Sequence, residues 1–172
     1  MLTENNLYCS TFDSQSLSCF AWTSEEGALS DKLKQLYGEC NLTLLTQKWT
    51  LPNWWEKQFL HLQETILRRD IIMGAQGNPY WFARTMLPLT TYKKDVAFFN
   101  RLKKEPLMNL VFNEPKVKRE ILWSYGINRQ NLEFHWLQKA WINEDTKLFA
   151  RFSLFSLMSV KRFYLLEIFL KD

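Results

Sequence analysis

Three charged residues interrupt apolar strand patterns in this 172-residue chain: Arg69, Arg84 and Glu167. In Thr65-Ile66-Leu67-Arg68-Arg69-Asp70-Ile71-Ile72-Met73, the two-residue period of a strand sets Leu67, Arg69, Ile71 and Met73 on one side, with Arg68 and Asp70 on the other. Arg69 is the one charge on an apolar face. Gly74-Ala75-Gln76-Gly77-Asn78 reverses the chain, and in the returning run from Pro79 to Pro88 the side of Tyr80, Phe82 and Met86 carries Arg84. A symmetric two- or four-residue loop around Gln76-Gly77 pairs Met73 with Tyr80, Ile71 with Phe82, and Arg69 with Arg84. Like charges directly opposed across a strand pair repel, and a buried unpaired guanidinium costs several kcal/mol. The pattern therefore calls for an anion between them. A core carboxylate for each arginine, or a three-residue loop that turns one of them to water, meets the same requirement, and alternation alone leaves these open.

Glu167 stands in Phe163-Tyr164-Leu165-Leu166-Glu167-Ile168-Phe169-Leu170, on the side of Phe163, Leu165 and Phe169. A carboxylate in such company resists ionisation unless it meets a cation or a hydroxyl, so it is a candidate acid, base or hydrogen-bond acceptor. The alternatives are an exposed position on an edge strand or a salt bridge to one of the arginines.

The elements that must position these residues are legible in outline. Ser30 to Tyr37 reads as a helix, with Ser30 and Asp31 at its start, Leu29, Leu33, Leu36 and Tyr37 as its stripe, and Gly38 as its stop. Leu42 to Trp49 is a strand and Leu51 to Trp55 a connector, and the arginine hairpin runs from about Leu62 to Leu87. Lys94 to Lys104 and Leu107 to Phe112 read as helices. Val117 to Ser124 is a strand, and Leu148 to Leu157 with Phe163 to Leu170 forms a closing hairpin around Ser159-Val160-Lys161. Mostly antiparallel strands with helices packed on one side make a single α+β domain over residues 1–172.

Composition narrows the function classes. Hydrophobic residues make up 47% of the chain, enough for a core without covalent staples. Cys9, Cys19 and Cys40 are an odd number without C-x-x-C spacing, and His61 and His135 are far apart, so neither a disulfide framework nor a zinc site is expected. Met1 to Asn6 shows no basic or apolar leader, and no run approaches the ~20 apolar residues of a membrane span, which points to a cytoplasmic protein that is not membrane-embedded. The net charge of +4 is mild; its lysines, at 93–94, 103–104 and 116–118, are interleaved with acids as on a solvated face. The aromatic content of 16% fits strand packing better than base stacking, so no nucleic-acid partner is expected. Gly74 to Gly77 matches a G-x-x-G loop, but an apolar strand precedes it and Asn78-Pro79 follows, which makes it a hairpin turn. No nucleophile elbow, phosphate-binding loop or dinucleotide fingerprint is present.

Taken in order, the segments 67–70, Gly77-Asn78-Pro79, Ala83-Arg84-Thr85-Met86-Leu87-Pro88, Pro106-Leu107 before Val111-Phe112, Arg119-Glu120, and Leu165 to Leu170 resemble the chorismate pyruvate-lyases of bacterial ubiquinone biosynthesis. The spacing agrees without a gap from Arg69 to Arg119, and the likeness reaches back to Trp22 and the 29–33 helix start. Residues 127–147 have no counterpart and read as an insertion. The resemblance implies a chorismate-lyase-like fold and a cofactor-free lyase that splits chorismate into 4-hydroxybenzoate and pyruvate, the product then being available to a membrane prenyltransferase. It implies that Arg69 binds the ring carboxylate with backbone help at Leu29 and Leu107, and that Glu167 meets the 4-hydroxyl. Leu29 stands where the family typically has methionine, a change that a backbone contact survives. Arg84, placed beside Arg69 by the hairpin reading, is expected to attract the enolpyruvyl carboxylate or ether oxygen, which makes Arg69, Arg84 and Glu167 the catalytic set.

Two other classes compete. A non-catalytic effector-binding domain of the kind found in bacterial transcription regulators shares this fold but usually follows a winged DNA-binding segment, and only about 65 residues precede the hairpin, with no basic recognition helix. An RNA-binding module suits the composition but not the placement of the arginines.

Overall fold

A computed structural model describes residues 29–170 apart from 113 and 144. Cys9, Cys19 and Trp22, which entered the sequence reading, lie outside the described residues; Cys40 is a half-buried free thiol. Helix α1 (Leu29–Tyr37) buries Leu29, Ser30 and Leu33. It ends at Gly38, whose φ of 78° lets its N–H close on the Lys34 carbonyl at 2.8 Å. The strands are β1 (Asn41–Thr50), β2 (Ile66–Ala75), β3 (Asn78–Pro88), β4 (Val117–Ile127), β5 (Leu148–Leu157) and β6 (Lys161–Phe169). Between β1 and β2 the reading expected only a connector. Asn53 instead caps a helix, α2 (Trp54–Leu60): its side chain accepts from the Glu56 N–H at 2.9 Å, and Glu56 accepts from the Asn53 N–H at 2.7 Å.

The six strands form one antiparallel sheet in the order β1-β2-β3-β6-β5-β4. That order places the helices. From the central β3 the chain must cross to the far edge before β4, and this crossing carries α3 (Leu89–Tyr92), α4 (Val96–Asn100), a 3-10 turn at Arg101–Lys103 and α5 (Leu107–Val111). With α1 they cover one face, packing Phe98, Phe99, Leu102, Leu107 and Leu110 on the inward residues of the strands. β5 and β6 then return to the centre, so the inner strands are buried on both sides and read as near-continuous apolar runs. The opposite face is closed by Trp55 of α2 and by Phe134 and Leu137 of the 127–147 segment, which folds as two 3-10 turns, Leu132–Trp136 and Lys139–Trp141.

The arginine hairpin departs from the expected register. Its turn is the anticipated Gln76-Gly77, both at positive φ (51° and 73°), but a bulge follows at once: Gly74 opposes Pro79 and Met73 opposes Trp81, leaving Tyr80 extra. A one-residue offset moves every side chain of one strand to the other face relative to its partner. Arg69 therefore faces Thr85, and Arg84 faces Asp70 on the opposite side of the sheet. The expected convergence of Arg69 and Arg84 does not occur. Arg84 makes a two-pronged ion pair with Asp70, Nε to Oδ1 at 2.7 Å and Nη2 to Oδ2 at 2.7 Å, and its guanidinium lies 4.0 Å from the centre of the Trp136 ring. It fastens the 127–147 segment to the sheet.

Gly74, at the edge of the bulge on the partner strand, allows the close approach, since a Cβ there would stand 2.5 Å from the Asn78 carbonyl oxygen. Gly74→Ala should therefore lower stability by about 1 to 3 kcal/mol. Arg84→Met, which strands the buried Asp70 carboxylate, should cost about 3 to 5 kcal/mol. Urea denaturation checks both, and an unchanged midpoint for Arg84→Met would show that the Asp70 pair does not hold this face.

Candidate active site

Strand register lays two adjacent rows of side chains across the helix-covered face. One row runs Gln47, Arg69, Thr85, Leu165, Ser153 and Leu122; the next runs Leu44, Ile71, Ala83, Glu167, Arg151 and Ser124. Arg69 and Glu167 are diagonal to one another, two strands and one row apart. With strands ~4.8 Å apart and ~6.7 Å between rows, their Cα atoms are separated by roughly 12 Å. The floor between them is Ala83 and Thr85, residues too short to fill that span.

A pocket lies above this floor, bounded by Ile71, Met73, Trp81, Leu165 and Glu167. Arg69 adjoins it, since its neighbours Ile71 along the strand and Thr85 across it both line the cavity. The roof is Leu29-Ser30 at the start of α1 and Pro106-Leu107-Met108 at the start of α5. Leu29 and Leu107, the two flap positions named from the sequence, thus meet over one cavity. No side chain caps α5; the Asn109 N–H bonds the Pro106 carbonyl at 3.2 Å, and the N–H groups of Leu107 and Met108 precede this first bonded turn. Ser30 Oγ lies 3.0 Å from Asn109 Oδ1 and ties the two roof segments together.

The electrostatics are asymmetric. Arg69 is 1% exposed, and its Nε and Nη1 have no hydrogen-bond partner among the described residues. Desolvation pulls its pKa from 12.5 down to about 10, which leaves a cation at neutral pH. Glu167 is 2% exposed and is paired through one oxygen with Arg151, whose Nε and Nη2 both meet Oε2, at 2.7 and 2.6 Å. The site thus offers one unsatisfied cation at one end and a neutral ion pair at the other.

Of the sequence candidates, Arg69, Glu167, Leu29 and Leu107 come together here, and Arg84 does not. Arg151 was missed, although Phe149-Ala150-Arg151-Phe152-Ser153 carried the same signal as the other two arginines, a charge inside a buried strand. Gln47, Thr85 and Ser153 carried no such signal, being polar residues of ordinary strand composition.

The chain matches the family model described as chorismate lyase over residues 3–172. It is 29% identical over 136 residues to a probable chorismate pyruvate-lyase from Photobacterium profundum, covering 75% of this chain and 73% of that protein. It is 26% identical over 140 residues to a probable chorismate pyruvate-lyase from Aromatoleum aromaticum, covering 79% and 76%. Among solved structures, a GntR-family transcriptional regulator from Bacillus cereus superposes with a TM-score of 0.55 at 11% identity, over 76% of this chain and 91% of that one. The ligand-binding domain assigned to a GntR-family regulator from Bordetella bronchiseptica superposes at 0.54 and 16%, over 78% and 86%. At that identity the structural likeness speaks to the fold alone, whereas the sequence match spans nearly the whole chain: it belongs to the chorismate lyase family.

Proposed function

We propose that the protein is a working chorismate lyase, which converts chorismate to 4-hydroxybenzoate and pyruvate as the first step of ubiquinone biosynthesis in the cytoplasm and supplies a membrane prenyltransferase. The observation that carries this reading is the unpartnered guanidinium of Arg69 set diagonally from Glu167 across an apolar pocket. A benzoate carrying a para hydroxyl has the matching polarity, an anion at one end and a donor at the other. Arg69 takes the ring carboxylate, assisted by the N–H groups of Leu29 and Leu107 at their helix starts. Glu167 accepts from the 4-hydroxyl.

The reaction asks little of the protein beyond this. The C3–O bond breaks with its electron pair leaving on the enolpyruvate oxygen. The C4–H bond supplies the electrons of the new ring double bond, and its proton ends on pyruvate. No electron acceptor is needed, and aromatisation drives the step. The protein's part is to hold a reactive ring conformer and exclude water. A second reading, a non-catalytic effector-binding domain, rests on the likeness of fold to the GntR regulators.

Purified protein with chorismate and excess chelator should yield equimolar 4-hydroxybenzoate and pyruvate. Tight binding of 4-hydroxybenzoate without turnover of chorismate would favour the effector-binding reading. Arg69→Ala should lower kcat/KM by about 30- to 1,000-fold, the loss of ~2 to 4 kcal/mol of charge-assisted binding. Arg68→Ala should leave kcat/KM nearly unchanged, because Arg68 points to the other face and bonds Glu56 at 2.8 Å. Equal losses in the two variants would refute the assigned face.

Stability should move the other way. Because the folded pKa of Arg69 lies below its unfolded value, carrying its charge costs stability at neutral pH, a cost relieved only as pH rises through about 10. Arg69→Met should accordingly raise the Tm of the free protein while abolishing the Tm gain given by 4-hydroxybenzoate, read by scanning calorimetry at pH 7. Ser30→Ala, which cuts the tie between the roof segments, should speed release of 4-hydroxybenzoate in stopped-flow tryptophan fluorescence. An unchanged off-rate would mean that the roof opens elsewhere.

A further inference from the structure

The ion pair of Glu167 is more than a neutralised core charge, and its geometry assigns a part to a residue that the reading above leaves unused. Arg151 is fully buried, emerges from β5 directly opposite Glu167, and brings both Nε and Nη2 to the same oxygen, Oε2. The other oxygen, Oε1, accepts no hydrogen bond among the described residues, and Glu167 lines the pocket. An arginine bound fork to fork would occupy both oxygens, as Arg84 does with Asp70. Here one oxygen is engaged and its twin is left for a ligand.

We propose that Arg151 is a positioning residue for the lyase reaction: it fixes Glu167 as an oriented, ionised acceptor whose Oε1 takes the substrate hydroxyl, and it keeps the net charge of the site positive. The inference rests on the reading of the pocket as a hydroxybenzoate site.

Two physical arguments support it. A buried carboxylate without a cation would take up a proton and become a donor as much as an acceptor, which blurs recognition of a hydroxyl. Charge balance is the second argument. Chorismate is a dianion, and Arg69 with Glu167 alone would present it with no net charge. Arg151 restores a net charge of plus one without competing for the ring carboxylate, since it sits beyond Glu167 on the side away from Arg69, with Ala83 and Glu167 in the intervening strands. A purely structural pair would satisfy neither requirement in particular and would support any ligand of the pocket equally.

The test is the affinity ratio of 4-hydroxybenzoate to benzoate, measured by tryptophan fluorescence titration on the full chain for wild type, Arg151→Met, Arg151→Lys, Glu167→Gln and the double variant Arg151→Met/Glu167→Gln. The double variant removes both buried charges together, so it folds even where the single arginine change does not. Wild type should prefer 4-hydroxybenzoate by about tenfold or more, as a site built to pair a hydroxyl does. Arg151→Met should lose most of that preference while benzoate affinity falls by less than about threefold, and Arg151→Lys should recover part of it. In the Glu167→Gln background, adding Arg151→Met should change the ratio no further. If Glu167→Gln loses the preference while Arg151→Met or Arg151→Lys keeps it whole, the proposal is overturned and the hydroxybenzoate reading stands. A double variant with a lower ratio than Glu167→Gln also overturns it, because Arg151 would then act independently of Glu167. Wild type that shows no preference overturns both.

Discussion

An unpaired guanidinium buried in a sheet is the constraint on which the rest of this structure depends. Three arginines among the described residues are buried, and two have carboxylate partners: Arg84 with Asp70 and Arg151 with Glu167. Arg69 has neither a carboxylate nor a complete set of acceptors. Leaving a charge in that state costs several kcal/mol, comparable to a large share of the net stability of a domain this size. The fold absorbs it by placing Arg69 on β2, flanked by β1 and β3, with apolar side chains on both sheet faces and deep burial of Ile66, Leu67, Ile71 and Ile72 around it. Under the proposed reading, an anion seated against Arg69 offsets this cost.

Charge on the two faces of the sheet is separated by function. On the face closed by the 127–147 segment, Arg68 meets Glu56 and Arg84 meets Asp70 under the Trp136 ring, each through Nε and Nη2 to the two carboxylate oxygens. On the helix-covered face, the guanidinium of Arg69 and one oxygen of Glu167 have no partner among the described residues. The same residue types thus close one surface permanently and leave the other incomplete. The difference lies in what the register sets opposite each: Asp70 faces Arg84, while Thr85 and Gln47 face Arg69.

Alternation was enough to find the intruding charges. Arg69 and Glu167 share the faces expected of them with Leu67, Ile71, Leu165 and Phe169, because a two-residue period survives whatever the strands pair with. The register was not legible. A single bulge at Gly74 inverts the relation between β2 and β3, and the cue for it, a glycine ahead of Ala75-Gln76-Gly77, is equally at home in a plain turn. Arg84 was consequently placed on the wrong side, although its own strand neighbours Phe82 and Met86 were correct. Asp70, set by alternation on the side opposite Arg69, is its partner. The helix at Trp54–Leu60 was hidden for a different reason: seven residues with two tryptophans show no clear stripe, and only the Asn53 to Glu56 capping box marks it. The sheet order was beyond reach, since the return of β6 between β3 and β5 is a long-range choice that no local pattern records.

A site of this kind has to close over its ligand and still open, and the elements assigned to it suit both demands. The sheet supplies Arg69, Thr85, Glu167 and Arg151 from central strands, where paired neighbours on both sides hold their spacing. The roof is made of weaker material. α5 has five residues, follows Pro106 and has no side-chain cap. Helices this short are held by burial of a few apolar side chains rather than by their own hydrogen bonds. Leu107 and Leu110 point down into the core, while Phe112, just beyond the helix, is exposed. Opening the roof therefore breaks few interactions, chiefly the bond of Ser30 to Asn109 and the seating of Leu29 and Leu107. A ligand that engages the first-turn N–H groups of both segments ties sheet and roof together at its carboxylate end. Under the proposed lyase reading, contacts that secure a substrate carboxylate also slow the departure of a product that keeps it.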